Sequence, residues 1–335
     1  ATIGMLGGGQ LGRYAVMAAA AMGYSTVVLE PDPTAPAGRV ADRHLIAPYD
    51  DSDALDELAS SCDVVTTEFE NTPAEVMDRL AERTLVAPSS PAVGIAQDRV
   101  AEKRFLVEAG FAVAPYSVVD AGEPRPMIDG PGILKTARLG YDGKGQRRVT
   151  GATEALAAWH ELGGVPCVLE QLLPLDREIS VVVARSRGGD VVAFDPGQNT
   201  HVDGILDLTV VPAEVSQAIA DSATAVARSI ASALDYVGVL AVEFFVVEGD
   251  LLVNELAPRP HNSGHWTLDV AQTSQFEQQI RAICGLPLGD PQMTRPGAAM
   301  VNLLGDTWAD GPPSWDRALV DPHVALHLYC LLYTS

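Results

Sequence analysis

The sequence is poor in lysine, aromatic residues and cysteine, and it contains no long apolar run. Its four cysteines lie far apart without C-x-x-C spacing, which argues against a zinc site or a disulfide framework and favours a reducing cytoplasm. No segment reaches the roughly 18 to 20 apolar residues that a membrane helix needs. Positive charge is also scarce, because 22 Lys and Arg stand against 44 Asp and Glu, for a net charge of −22. Nucleic-acid affinity depends on cations that neutralise phosphates, so a nucleic-acid partner is excluded.

The scarcity of lysine makes the position of each one informative. The sequence contains only Lys103, Lys135 and Lys144, and the last two lie within ten residues of each other. A compact ammonium group is suited to a phosphate oxygen in a way that the planar guanidinium of arginine is not. The pair therefore favours a small phosphorylated ligand, although chance spacing in an arginine-rich chain remains the alternative.

The length and the apolar pattern predict two or three domains. At 335 residues and 47% hydrophobic content, the chain is too large for one simple core. Strands predicted at Thr2–Leu6, Ser25–Leu29 and Val64–Thr67 alternate with helical segments, which is typical of an open parallel α/β sheet. From about Pro91 onward, shorter apolar runs and isolated helices indicate an α+β region.

A glycine-rich segment, Gly7-Gly8-Gly9-Gln10-Leu11-Gly12, follows the first predicted strand. It matches G-x-G-x-x-G, and Glu30 ends the next strand where a ribose-binding acid is expected in dinucleotide enzymes. Glycines before a helix N-terminus, however, bring backbone N–H groups close to any phosphate. A dinucleotide, another phosphate ligand and simple tight packing therefore all remain open for this segment.

A second glycine-rich segment, residues 140–146, follows a predicted strand that ends at Lys135. Glycines around Lys144 make a mobile loop that can fold over a polyphosphate, while Lys135 reaches phosphate oxygens from a rigid strand. The segment is not a Walker A loop, since no G-K-[ST] opens a helix here. A flexible hairpin tip is the alternative.

Carboxylates at or within apolar strands form two further candidate sites. Glu170 closes an apolar strand whose edge could offer backbone groups to an adenine, and Glu178 could accept ribose hydroxyls. Glu243 and Glu255 lie in two apolar runs, where a carboxylate is costly unless it is paired or binds a metal. With Asn254 beside them they predict a Mg²⁺ site, and pairing with an arginine such as Arg259 is the alternative.

The loop between those two runs decides whether the carboxylates meet. If Glu248-Gly249-Asp250 is a three-residue loop, Val247 faces Leu251 and Glu243 lies directly opposite Glu255. Directly opposed side chains share one face of a hairpin, at a Cβ separation of about 4.5 to 5.5 Å. A two-residue loop would instead turn the two carboxylates to opposite faces.

The segment from Asn254 to Trp266, Asn-Glu-Leu-Ala-Pro-Arg-Pro-His-Asn-Ser-Gly-His-Trp, is a dense polar loop directly after the metal-type carboxylate. Polar loops on rigid strands commonly carry function. With the two glycine-rich segments in the same order, this chain resembles the ATP-grasp superfamily and, within it, the N5-carboxyaminoimidazole ribonucleotide synthase family of purine biosynthesis. The loop after Arg259-Pro260-His261 differs from that of the related formate-dependent transformylases, which favours the carboxylase family.

The resemblance implies an ATP-grasp fold with a Rossmann-like N-terminal domain, and an ATP- and bicarbonate-dependent carboxylation of 5-aminoimidazole ribonucleotide. The expected domains are 1–98, 99–290 with a lid at about 115–180, and 291–335. The resemblance implies ATP contacts from Arg99, Lys135, Gly140, Tyr141, Asp142, Gly143, Lys144, Gly145, Gln146, Glu170, Gln171, Leu172, Leu173, Glu178, His201, Asn254 and Glu255. It places Mg²⁺ at Glu243 and Glu255. It places the ribonucleotide at Gly9, Gln10, Leu11, Glu70, Arg259, His261, Asn262, Ser263 and Gly264.

The resemblance also assigns the chemistry and the assembly. It implies catalytic roles for Tyr141, Asp142, Lys144 and Arg259, and it implies a cytoplasmic homodimer. Residues 330–335 depart from the family pattern, so the C-terminal domain is expected to be truncated. Two other hypotheses stay open: a nucleotide-binding but catalytically impaired fragment of the same family, and a Rossmann-type NAD-dependent oxidoreductase.

Overall fold

A five-stranded parallel sheet forms the N-terminal part of the protein. The computed structural model describes residues 1–120, 127–128, 130–140, 144–309 and 311–328. The strands of this sheet lie in the order β3-β2-β1-β4-β5 and are joined by helices. Its elements are β1 (Thr2–Leu6), α1 (Gln10–Ala21), β2 (Ser25–Leu29), β3 (Arg43–Leu45), α2 (Ser52–Ser61), β4 (Val64–Thr67), α3 (Ala74–Ala81) and β5 (Leu85–Val86). The predicted bounds of β1, β2 and β4 are confirmed, because strands covered on both faces read as continuous apolar runs.

A small antiparallel sheet follows two connecting helices, α4 (Ser90–Gln97) and α5 (Arg99–Glu108). Asp98 caps α5 by accepting hydrogen bonds from the N–H groups of Val100 and Ala101. The sheet has the order β6-β9-β7-β8. Its elements are β6 (Tyr116–Val119), β7 (Gly132–Thr136), β8 (Gln146–Val149), α6 (Ala152–Glu161) and β9 (Cys167–Gln171). It ends at Gln171, short of the lid boundary expected near residue 180.

The large sheet carries most of the remaining chain and has the order β15-β14-β10-β12-β13-β16, with β11 paired to β10. Ala223, Ala227 and Ile230 of α7 pack on it and are fully buried. β16, which lies in the C-terminal domain predicted at 291–335, is an edge strand of this sheet, and the domain boundaries stay a prediction. Its elements are β10 (Arg177–Arg185), β11 (Val191–Ala193), β12 (Gly197–Val202), β13 (Ile205–Val211), α7 (Gln217–Ala233), β14 (Gly238–Val247), β15 (Asp250–Ala257), α8 (Thr267–Val270), α9 (Gln275–Ile283), β16 (Ala298–Val301) and α10 (Trp315–Ala318).

A buried glutamine of α9 joins the N-terminal sheet to the large sheet. Gln279 is 1% exposed, donates to Thr66 Oγ1 at the end of β4 and accepts from the N–H of Val239 on β14. Both ends of its amide are thus satisfied across the domain boundary, as a buried polar group requires. Among the described residues, no helix combines the length and apolar character needed to cross a bilayer.

Candidate active site

Glu243 and Glu255 lie directly opposite each other on the β14–β15 hairpin, as predicted, but by a different route. The predicted three-residue loop is wrong: Val247 pairs with Asp250, which leaves a two-residue turn of Glu248 and Gly249, both with positive φ. A β-bulge at Asn254 then shifts the register by one residue. The bulge returns Glu255 to the face of Glu243, and sequence periodicity cannot reveal such an insertion.

The two carboxylates have different electrostatic environments. Burial and the neighbouring Glu255 charge raise the pKa of Glu243 to about 7. Burial opposes ionisation of Glu255 too, but the Arg99 guanidinium, 2.9 Å from its Oε2 atom, lowers the pKa of Glu255 to about 2. Among the described residues, no donor contacts the buried Oδ1 atom of Asn254. Two opposed carboxylates and an unsatisfied amide oxygen are hard-oxygen ligands of the type that Mg²⁺ prefers.

Lys135 lies at the end of β7, and its ammonium contacts a buried carboxylate. Its Nζ atom is 2.5 Å from Glu170 Oε2. Burial works against ionisation of Glu170, but the charge of Lys135 and a second lysine, Lys103, lower its pKa to about 2. Glu170 is therefore an ionised, buried carboxylate that pairs with two lysines. A glutamate without such partners is usually exposed.

The adenine edge predicted at Glu170–Leu173 is not a free sheet edge. β9 is an internal strand with partners on both sides, β6 and β7. At the end of β9, the N–H of Gln171 donates to the carbonyl of Pro115, and the N–H of Leu172 donates to the carbonyl of Pro131, both at 2.9 Å. The contact of Glu170, Gln171, Leu172 and Leu173 with adenine therefore stays a prediction.

The predicted ribose-binding carboxylate lies near the metal-type hairpin. Glu178 of β10 contacts His201 Nδ1 at 2.9 Å. Burial lowers the pKa of His201, but the hydrogen bond with Glu178 and the charge of Glu243 together raise it above its ordinary value. The structure thus brings Glu178 and His201 to the side of the hairpin that carries Glu243.

The second glycine-rich segment adjoins Lys135. Tyr141, Asp142 and Gly143 lie outside the described residues. Of the remainder, Gln146 pairs with Lys135, and the carbonyl of Gly145 accepts from the N–H of Thr136 at 2.8 Å. Arg99 Nη2 also approaches the carbonyl of Gly140, at 3.4 Å. Lys144 is therefore only two residues from the position that pairs with Lys135.

The first glycine-rich segment already binds carboxylates of the protein. Glu68 Oε1 accepts from the N–H of Gly9 at 2.5 Å, and its Oε2 accepts from Gly12 at 2.8 Å. Glu30, predicted as a ribose ligand, instead accepts from the N–H of Gly8 at 3.0 Å. These three donors are occupied by carboxyl groups of the protein itself, which argues against a dinucleotide pyrophosphate at this turn. The sequence offered no signal for this, since Glu68 is distant along the chain.

The predicted ribonucleotide residues come from both domains and meet at their junction. Gln10 Nε2 donates to Asn262 Oδ1 at 2.8 Å, and Arg259 forms an ion pair with Glu70. Ser263 Oγ lies 2.8 Å from His261 Nδ1 and 2.9 Å from Ser180 Oγ. Two predicted residues are exceptions, because the side chain of Leu11 packs into the N-terminal core and the N–H of Gly9 is already bonded to Glu68.

His261 connects the two halves of the site. Its Nε2 atom lies 3.5 Å from Glu243 Oε1, and its other ring nitrogen faces Ser263. Burial and the neighbouring Arg259 charge lower the pKa of His261 to about 3, so the imidazole is neutral at physiological pH. The polar loop after β15 therefore contacts the carboxylate pair through His261.

Two family models cover this architecture. Residues 1–97 match the ribonucleotide synthetase preATP-grasp domain, and residues 104–276 match the ATP-grasp domain. The N5-carboxyaminoimidazole ribonucleotide synthase of Brucella melitensis is 48% identical over 335 residues, which cover 98% of this chain and 91% of that protein. The chain belongs to the N5-carboxyaminoimidazole ribonucleotide synthase family.

Solved structures agree with this assignment. The Staphylococcus aureus N5-carboxyaminoimidazole synthetase complexed with ADP has a TM-score of 0.90 at 35% identity, with 98% of this chain and 88% of that chain covered. The Aspergillus clavatus synthase in complex with ADP and 5-aminoimidazole ribonucleotide has a TM-score of 0.81 at 28% identity, with 91% and 82% covered. As a member of the N5-carboxyaminoimidazole ribonucleotide synthase family, the protein is an ATP-dependent ligase of the ATP-grasp class.

Two charged residues that contact the candidate active site, both on α5, were missed by the sequence analysis. Lys103 lies 2.9 Å from Glu170 Oε1, and Glu102 Oε2 accepts from the N–H of Leu256 at 2.9 Å. Burial raises the pKa of Glu102 to about 8. The rarity of lysine was a usable signal for Lys103, whereas nothing in the local pattern distinguishes Glu102 from an ordinary helical glutamate.

Proposed function

We propose that this enzyme uses ATP and bicarbonate to convert 5-aminoimidazole ribonucleotide to N5-carboxyaminoimidazole ribonucleotide. The main support is the continuous segment from Asn254 to Gly264, which begins at the carboxylate pair and ends against the N-terminal domain. A phosphoryl donor held at its first residues and a ribonucleotide held at its last residues would lie next to each other. Proximity of this kind makes a step between two substrates effectively unimolecular.

ATP is assigned to the cleft between the small and large sheets. We assign Lys135, which lies near the end of β7 beside Glu170, to the phosphates, and the Glu178–His201 pair to the ribose; the contacts of these residues support the assignment. The backbone beyond β9, at Leu172 and Leu173, is assigned to adenine. Arg99 forms an ion pair with Glu255 and also approaches the carbonyl of Gly140, so it connects the carboxylate pair to the second glycine-rich segment.

Mg²⁺ is assigned to Glu243 and Glu255, with Asn254 Oδ1 as an additional ligand. The opposed carboxylates and the unsatisfied amide oxygen fit a hard cation. When bound, the ion supplies positive charge that stabilises the nucleotide phosphates. A cation would also favour the ionised form of Glu243, whose pKa of about 7 reflects burial beside a second carboxylate.

The chemistry assigned to the site proceeds through carboxyphosphate. A bicarbonate oxygen attacks the γ-phosphorus of ATP, the bond to ADP breaks, and ADP leaves. Carboxyphosphate then releases CO₂ and phosphate, the amine nitrogen of the ribonucleotide attacks the carbon of CO₂, and the amine proton passes to the released phosphate as the N–C bond forms. Lys144 and Arg259 supply positive charge to the anions, and Tyr141 and Asp142 are assigned to the carboxylation pocket. Closure of the glycine-rich loop would keep water from the labile intermediate.

The proposed setting is the cytoplasm, and the proposed assembly is a homodimer. The widely spaced cysteines support a reducing compartment, and the three that the structure describes, Cys62, Cys167 and Cys284, are free thiols. The dimer is supported by the family resemblance.

A coupled assay of ADP release tests the proposal. ADP should form in the presence of ATP, Mg²⁺ and bicarbonate, and 5-aminoimidazole ribonucleotide should accelerate it with matching formation of the carboxylated product. A thermal-shift comparison should show stabilisation by Mg²⁺ and ATP but not by NAD, because only a ligand that binds the native state stabilises it. ADP release that the ribonucleotide leaves unchanged would refute the proposed carboxylation.

A further inference from the structure

Lys103 is a fully buried ammonium that connects two sheets. Its side chain is 1% exposed, and it is located in the middle of α5. Its Nζ atom lies 2.9 Å from Glu170 Oε1 on the small sheet and donates to the carbonyl of Asn254 on the large sheet at 2.9 Å. Burying a lysine is costly unless its charge is paired, so this position requires both partners.

Glu102, the preceding residue, binds the same edge of the hairpin. It is 2% exposed, and its Oε2 atom accepts from the N–H of Leu256. β15 is the edge strand of the large sheet, and its outer side forms an isolated bridge with Val113 at Val253. Beyond that bridge, no strand of the described residues pairs with the carbonyl of Asn254 or the N–H of Leu256. The two side chains supply the acceptor and the donor that such a strand would offer.

The two residues that these contacts fix are the neighbours of Glu255. Arg99, one turn earlier on α5, binds the Glu255 carboxylate itself. Positions three and four apart lie on one face of a helix, so Arg99, Glu102 and Lys103 reach the hairpin together. One helix therefore holds both the carboxylate of Glu255 and the backbone on either side of it, at the bulge that sets its register.

Lys103 also changes what happens at Glu170 when a nucleotide binds. Glu170 is held by two lysines, and Lys135 is the one assigned to the phosphates. If Lys135 were its sole partner, a shift toward phosphate would leave a buried carboxylate without a counter-ion, which is strongly unfavourable. With Lys103 in place, Lys135 can turn to the phosphates while Glu170 stays paired.

We propose that Glu102 and Lys103 are positioning residues of the ATP site: both fix the backbone around Glu255, and Lys103 is the permanent counter-ion of Glu170 that releases Lys135 for phosphate binding. This inference rests on the proposed ATP site. Neither residue needs to touch the nucleotide, since they act through Glu255 and through the Glu170–Lys135 pair.

The test compares ATP binding by calorimetry for the wild type, Lys103→Met, Glu170→Gln and the double variant Lys103→Met/Glu170→Gln. Lys103→Met should raise the Kd for ATP by roughly tenfold to a hundredfold, because Lys135 then has to abandon a carboxylate with no other partner. In the Glu170→Gln background no charge is left behind, so adding Lys103→Met removes only the contact with the Asn254 carbonyl and should change the Kd by less than about fivefold, clearly less than in the wild-type background. Arg104→Met, an exposed cation on the same helix, is the matched control and should bind ATP as the wild type does.

The outcomes separate the inference from the proposed function. Absence of ATP binding by the wild type contradicts the proposed function itself. If the wild type binds ATP and Lys103→Met lowers only the melting temperature, with a Kd equal to that of Arg104→Met, the positioning role is wrong. If Lys103→Met does not fold, the two variants that carry Glu170→Gln decide, and a tenfold difference in Kd between them overturns the counter-ion role.

Discussion

Substitution of Lys135 by Met tests how the site divides binding from stability. Lys135 lies near the end of β7, its side chain is 10% exposed, and its Nζ atom lies 2.5 Å from Glu170 Oε2. Methionine has an unbranched side chain that reaches as far as Cε of lysine, so the substitution removes only the ammonium group. We expect a folded protein that binds ATP weakly, because the charge assigned to the phosphates is lost while the packing of β7 is kept.

Two magnitudes are expected for Lys135→Met, one for ATP affinity and one for stability. A hydrogen bond to a charged group contributes about 1.5 to 3 kcal/mol, which corresponds to a Kd for ATP that rises by roughly 10- to 150-fold. Removing one partner of a buried ion pair usually lowers the free energy of unfolding by about 3 to 5 kcal/mol, because a charge remains uncompensated. Here Glu170 keeps Lys103 at 2.9 Å, so the loss of stability should be clearly smaller than that.

Calorimetric titration with ATP and Mg²⁺ measures the first effect, and denaturant unfolding measures the second. Arg148→Met is the matched control, because Arg148 is an exposed cation on the neighbouring strand β8. Its affinity for ATP should equal that of the wild type. A Lys135→Met variant that binds ATP within about twofold of the wild type would refute the assignment of this ammonium to the phosphates.

Three further substitutions test other parts of the site. Lys144→Ala should lower kcat by roughly tenfold or more with little change in the Kd for ATP, since its loop acts after binding; equal effects on both in steady-state and binding assays would contradict this. Glu255→Gln should raise the Mg²⁺ concentration for half-maximal activity by roughly tenfold, measured by metal titration, and an unchanged value argues against the metal site. Glu68→Gln should lower the free energy of unfolding, measured in denaturant, by about 1 to 3 kcal/mol. The carboxyl group of Glu68 accepts from Gly9 and Gly12 with separate oxygens, whereas an amide has only one oxygen; wild-type stability of the variant would contradict this.

The sequence by itself determined the architecture where local pattern and burial agree. The apolar runs of β1, β2 and β4 predicted those strands correctly, because each is covered on both faces and contains few polar residues. The order of the two glycine-rich segments and the polar loop after Glu255 was enough to indicate the family. The carboxylates Glu243 and Glu255 were recognisable because charge is rare in apolar strands.

Only the tertiary structure decided which partner each charged group binds. The hairpin turn and the bulge at Asn254 are two compensating departures from a regular ladder, so periodicity led to the right pairing through the wrong loop. The donors of the first glycine-rich turn bind Glu68, which is more than fifty residues away in sequence and adjacent only because β1 and β4 are neighbours. Lys103 likewise acquires its role only when α5 packs between two sheets, since the cost of burying its charge is offset by partners from both.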